Sequence, residues 1–345
     1  MTSSWVVNGG RPLAGEVQIS GFKHAALPLV AAGMLASGPF ELANVPDVED
    51  VRVIAELLVH AGASARHDRA GRRLLVDPTT ISNGTLPSAL TRRVHGSLYM
   101  VPGLLGKLGE VHAGPFGGCR IGEASAGGER PLEHIREVLQ RFGATAEIQG
   151  GMLSASCKQL CGCTINMADF AKELSNGGGL TGPLYSGATK AALLCAATAA
   201  GVTEIHSPYR KADVADLIGG MIAAGVSIED RDDVLRVEGR PCLQAFQYEV
   251  SSDAIEIVTF FTLAAYLQAD IRLTGIADKT WAGLAAELDC FDRMGLTVER
   301  LKQSRLSLRA DHMNGIDIRV SSHGIFSDSQ PFFALLLSGT ERGAR

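Results

Sequence analysis

The sequence predicts an α+β protein of two domains, each built from repeated β-α-β-α-β-β units with internal helices surrounded by sheets. Three observations lead there. The chain has 345 residues, too many for one ordinary core. An order of strand, serine, small-residue helix, strand, Asp-led helix and glycine recurs at spacings of roughly 65 to 90 residues. The first helix of each copy is apolar nearly all round ("AALPLVAAGMLA", "KAALLCAATAA"), so it is buried on most sides, whereas the second is amphipathic and suits an outer layer.

The first copy opens with a strand at Val17–Ile19. Ser20 is placed to cap a helix running to about Leu35. "FELANV" is the next strand, and Asp47 caps an amphipathic helix that ends at Gly62. "SARHD" and "RLLVD" close the unit. A degenerate copy runs from near His95 to near Cys157. In the next, Ser186 heads "SGATKAALLCAATAAG" and Gly225 ends the second helix. Another begins at Val250, and a fifth near Ser321. Counted this way, residues 21–238 form a first domain of three repeats. Residues 1–20 join 239–345 in a second domain, expected to be incomplete, with one full repeat and one shortened one.

Composition narrows the function classes. Apolar residues make up 46% and charged residues 20%, as in a folded globular protein. A net charge of −5 without a long basic run argues against nucleic acid as a partner. The N-terminus has no basic start followed by an apolar stretch, and the longest apolar runs fall short of a membrane span, so a cytoplasmic location is expected. Seven cysteines, odd in number and scattered, do not form a disulfide framework. Cys157, Cys161 and Cys163 form a C-x3-C-x-C cluster with no fourth ligand at a metal spacing, so no metal is expected.

Three places carry candidate chemistry. "GPFGGCRIGE" sets Cys119 and Arg120 among glycines, in a loop pliable enough to swing over a site. A neighbouring cation such as Arg120 favours the thiolate; the plainer alternative is an idle surface thiol. Lys23 lies near the start of an apolar helix, where its ammonium and the free amides together suit an anion; the alternative is a solvated surface lysine. Asp328, in "FSDSQ", stands at the head of another internal helix as a general base or as an N-cap.

"GFKHAALP", "FGGCRIG" followed by "RPLEHI", "SGATKAALLCAATAAG" and "FSDSQPFFALLL" resemble, in order and over nearly the whole chain, the UDP-N-acetylglucosamine enolpyruvyl transferases. The sister family that makes enolpyruvyl-shikimate phosphate, with a first motif P-G-S-K-S and no loop cysteine, fits less well. The resemblance implies the enolpyruvyl transferase fold, with ligands between its domains. It also implies transfer of enolpyruvate from phosphoenolpyruvate to a hydroxyl of a uridine nucleotide or nucleotide sugar, with no metal or organic cofactor. It makes Cys119 the general acid, Lys23 a substrate-binding lysine and Asp328 the aspartate near the reacting hydroxyl. Arg130, Pro131 and Leu132 stand at the end of the cysteine loop, where phosphate and nucleotide are contacted, with Arg120 able to share that role and Ser186 on the nucleotide side.

The chain departs from the family pattern at several points. His24 replaces an asparagine, His95 an arginine, and Pro183 a lysine; neutral histidine holds phosphate weakly and proline has no donor. The chain ends in the fifth of six expected units, before further anion-binding arginines, so weak turnover and an exposed apolar "PFFALLL" inviting self-association or a C-terminal partner are expected. Two alternatives therefore stay open: the same chemistry on another uridine nucleotide, as in nucleoside-antibiotic pathways, and a catalytically silent homologue that binds nucleotide or a partner.

Timed alkylation followed by mass spectrometry should modify Cys119 faster than Cys195, which lies in an apolar helix. The epoxide fosfomycin should also react at Cys119. Equal or inverted rates would count against the loop assignment.

Overall fold

A computed structural model describes residues 4–10, 12–118, 131–298 and 313–340. The chain divides into two compact units, Ser20–Ser252 and a smaller one that joins Met1–Ile19 to Asp253–Arg345. The larger unit runs past 238 because the strand Gln247–Glu249 adds in parallel to Phe40–Ala43, closing the first repeat's sheet.

In the larger unit the helices are α1 (Lys23–Gly33), α2 (Glu49–Ala61), α3 (Ser88–Thr91), α4 (Met100–Leu108), α5 (Glu133–Arg141), α6 (Tyr185–Ala196) and α7 (Ala212–Ala223). Among the described residues three larger sheets accompany them, with a two-stranded antiparallel pair of Lys172–Glu173 and Leu180–Thr181. The first orders Gln247–Glu249, Phe40–Ala43, Arg73–Asp77 and Ser64–Asp68; the second orders Glu110–Ala113, Met152–Ser156 and Thr145–Gln149. The third orders Ser227–Arg231, Val234–Glu238, Val202–His206 and Thr164–Asn166. Each repeat thus supplies most of one sheet, and Gln247–Glu249 completes the first.

Burial follows the apolar pattern. Every residue of α1 from Ala25 to Gly33 is buried, as is every residue of α6 from Ala188 to Ala196. In α2 only Val51, Val53, Ile54, Leu57, Leu58 and Ala61 are, so α2 is an outer helix. Small side chains let the inner helices approach closely. A Cβ on Gly103 of α4 would stand 2.9 Å from the backbone oxygen of Ala31 in α1.

The expected serine and aspartate caps are replaced by other contacts. Gly21 bridges Ser252, and the Phe22 amide donates to the Ser251 carbonyl at 2.8 Å. That pairing keeps the backbone extended through Phe22, so α1 begins at Lys23 and Ser20 lies outside it. Asp47 turns its carboxylate to Arg52 and Arg69 at 2.8 Å each, and Val48 occupies the cap position of α2. Ser186 is the second residue of α6, not its cap. Gly62 does end α2 with a left-handed φ of 106°.

In the smaller unit, the strand Ala14–Gln18 pairs in parallel with Asp270–Thr274. Its helices are α8 (Ala254–Leu267), α9 (Asp278–Gly283), α10 (Ala285–Arg293) and α11 (Gln330–Leu337). Here an aspartate does cap: Asp253 accepts from the amides of Ile255 and Glu256 at 2.9 and 3.1 Å. The rings of Phe261, Phe291 and Phe333 join α8, α10 and α11, with centroids 5.6 and 4.8 Å apart. Among the described residues no helix is long and apolar enough to cross a membrane.

Inside the larger unit, Lys190 of α6 forms an ion pair with Asp213 of α7, and both are almost fully buried. The Lys190 ammonium also lies 5.4 Å from the centre of the Tyr99 ring. Removing one buried partner strands the other's charge, at a cost of about 3–5 kcal/mol. Lys190→Met should therefore lower unfolding free energy by that order in urea titrations, and Lys190→Met with Asp213→Leu should recover most of it.

Candidate functional site

The larger unit gathers the starts of several helices. Lys23 is the first residue of α1, whose cap position is held by Phe22, a residue with no polar side chain to cap it. Its ammonium is 3.4 Å from Asp50, with over a third of the side chain exposed. His24 stacks on Phe22, ring centres 5.5 Å apart. His95 begins a 3-10 turn, His95–Tyr99, that leads into α4. The turn lies against α1: a Cβ on Gly96 would overlap the Leu27 side chain, 2.2 Å from its Cδ1.

The head of α5 lies near this turn and adjoins the head of α6. Pro131 is exposed and Leu132 buried, just ahead of α5. His134, in the first turn of α5, is 6% exposed. A Cβ on Gly187 of α6 would stand 2.6 Å from its Nε2, so glycine is what lets the imidazole lie over that helix start. Ser186, half-buried, is next to it in sequence. Burial first, and then His95, hold the His134 pKa down to about 4, so the ring is neutral at pH 7. Its Nδ1 has no hydrogen-bond partner among the described residues.

Lys190 supplies a fixed charge beneath these groups. Burial opposes that charge, but Asp213 and Tyr99 outweigh it and push the lysine up to about 12. Sequence analysis missed both Lys190 and His134. The available signal was a single lysine within the apolar run "GATKAALLCAA", which requires a counter-charge if buried.

The incoming limb of the cysteine loop is anchored close to His95. Ser88 donates to the Gly114 carbonyl at 2.8 Å and Thr91 to that of Pro115 at 3.0 Å, while the Gly117 amide donates to the Thr91 carbonyl at 2.9 Å. Cys119, Arg120 and Arg130 themselves lie outside the described residues. Cys195 is fully buried, which pushes its thiol up.

In the smaller unit, Asp328 is exposed on a 3-10 turn, Ser327–Ser329, that leads into α11. Lys23, His24, His95, Leu132 and Ser186 thus sit on neighbouring helix starts of one unit, and Asp328 on a helix start of the other. Among the described residues no group of three or more His, Cys, Asp or Glu is placed to hold a metal.

The family model for EPSP synthase (3-phosphoshikimate 1-carboxyvinyltransferase) matches residues 7–336. UDP-N-acetylglucosamine 1-carboxyvinyltransferase of Acinetobacter baylyi is 32% identical over 297 residues, which cover 86% of this chain and 65% of that protein. The protein of that name from Desulfosudis oleivorans is 30% identical over 96% of this chain and 74% of its own. The enolpyruvyl transferase NikO from Streptomyces tendae superposes with a TM-score of 0.85 at 34% identity, over 96% of this chain and 74% of NikO. EPSP synthase from Acinetobacter baumannii, at 18% identity and a TM-score of 0.67, shares the fold. The chain spans under two thirds of the length of the Acinetobacter baylyi relative.

His134 gives the fold an acid limb. Folded, the imidazole takes its proton only near pH 4; unfolded, it does so near 6.5. Protonation therefore favours the unfolded chain between those values. Stability present above pH 6.5 should fall as pH drops towards 4, by at most about 3 kcal/mol. Urea unfolding across that range should show a shallower decline for His134→Gln than for the parent chain.

Proposed function

The chain belongs to the EPSP synthase family, and from that premise we propose that it transfers the enolpyruvyl group of phosphoenolpyruvate to a hydroxyl of UDP-N-acetylglucosamine, releasing phosphate. The observation that carries this most directly is the set of helix starts bearing Lys23, His95, His134 and Ser186, beside the anchored limb of the Cys119 loop. The positive end of the α1 dipole and the Lys23 ammonium suit an anionic substrate.

In the proposed addition–elimination, Cys119 gives a proton to C3 of phosphoenolpyruvate. The acceptor hydroxyl loses its proton to Asp328 and attacks C2. The tetrahedral adduct then gives a C3 proton to the Cys119 thiolate and expels phosphate, and Asp328 passes its proton to the departing phosphate. Lys23, Arg120 and Arg130 offset the charge on phosphate and carboxylate, the kind of preorganised electrostatics that contributes most to such steps. Proton transfer by one positioned group accounts for about 10²–10⁴ in rate.

A second acceptor is favoured by particular residues. His95 and Pro183 replace two permanent cations of the family pattern, and His134 beside His95 is neutral. A pocket with fewer fixed charges suits an acceptor with fewer phosphates, such as a uridine monophosphate.

A coupled phosphate-release assay with phosphoenolpyruvate and either UDP-N-acetylglucosamine or UMP distinguishes the two acceptors. Release with one of them should fall by about 10²–10⁴ in Asp328→Asn. No release with any uridine acceptor would leave the catalytically silent homologue as the answer.

A further inference from the structure

We propose that Glu287 is a positioning residue for Asp328, a buried carboxylate that fixes the turn on which this aspartate is presented. The assignment rests on the role given to Asp328 in the transfer reaction above. Glu287 lies on α10 and is 0% exposed. Its Oε1 accepts from the backbone amide of Phe326 at 2.7 Å and from the hydroxyl of Ser329 at 3.2 Å. These two bonds bracket Asp328 on either side. Ser329 is itself fully buried, while Asp328 between them is exposed. The turn is thus held from beneath, and the aspartate is left facing outward.

One helical turn beyond Glu287, Phe291 stands on the same face of α10 and packs between Phe261 and Phe333. Helix α10 therefore holds the α11 segment at two points, one polar and one apolar. The apolar contact alone would secure α11. The polar one acts where α11 starts, on the residues that set the direction of Asp328. Burying a carboxylate is costly unless hydrogen bonds and local positive potential compensate it. Here both donors meet Oε1, and the amino end of the turn and helix lies over it, while Oε2 is buried and accepts no hydrogen bond from the described residues. A leucine would fill the same core position without that cost, so the acid is explained by the geometry it imposes on residues 326–329. Misplacing a reacting group by about 1 Å costs on the order of a hundredfold in rate.

The test uses the full chain with Glu287→Ala, Glu287→Gln and Ser329→Ala. Glu287→Ala should speed amide exchange at Phe326 by about tenfold or more. In phosphate release it should lower kcat by about a hundredfold and leave KM for phosphoenolpyruvate within about twofold. Glu287→Gln keeps an acceptor oxygen and should restore exchange protection and most of kcat. Ser329→Ala removes one of the two bonds and should give the same split in smaller measure; it serves if Glu287→Ala does not fold. Unchanged exchange in both alanine variants overturns the proposal, as does faster exchange with kcat unaltered or a glutamine variant that rescues neither. If the parent chain turns over no acceptor, the proposed reaction fails, and the exchange measurements alone decide whether Glu287 fixes the turn.

Discussion

The buried ion pair between Lys190 and Asp213 is the constraint around which the larger unit is organised. It joins α6 to α7 where neither charge meets water, so each is tolerable only with the other in place. Lys190 also holds Tyr99 through its ring, and Tyr99 ends the turn that His95 begins. The same helix α6 presents Gly187 to His134. The positions of both histidines therefore depend on α6 being seated correctly, and its seating depends on a charge pair deep in an otherwise apolar core.

The architecture was legible because its inner helices are so plainly apolar. "AALPLVAAGMLA" and "KAALLCAATAA" leave no polar face, and both helices are buried accordingly. The strand "RLLVD" was readable from its alternation, with Leu74 and Val76 buried and Arg73 and Leu75 exposed, and "SARHD" alternates beside it in antiparallel register. Caps were misread where a long-range contact outweighed local preference. Ser20 is an acceptable cap on its own, but the bridge between Gly21 and Ser252 holds the backbone extended past it. No local sequence rule contains a partner more than 200 residues away.

The site divides in the same manner. The family resemblance singled out Lys23, His95, Leu132 and Ser186, and the structure sets each at or beside a helix start. His134 and Glu287 were not singled out, since each is defined by what it touches across the fold: Gly187 for one, Phe326 and Ser329 for the other. A histidine or glutamate in an amphipathic helix reads as surface until its burial is known. What the fold adds is a group of helix starts whose nearby imidazoles include one, His134, kept neutral by burial.

The parallel pairing of Ala14–Gln18 with Asp270–Thr274 carries a consequence for biosynthesis. The earlier strand leaves the ribosome first, yet its partner is translated only after the whole of Ser20–Ser252. At ordinary translation speeds of about 5–20 residues per second, that is a wait of roughly 10 to 50 seconds. During it the strand has open backbone donors and acceptors and a complete folding unit growing behind it. Its largely exposed, polar-faced residues, Glu16 and Gln18 among them, suit such a delay, because they offer little to a stray neighbouring chain. The nascent chain is thus free to complete its larger unit before the smaller one recruits its first strand.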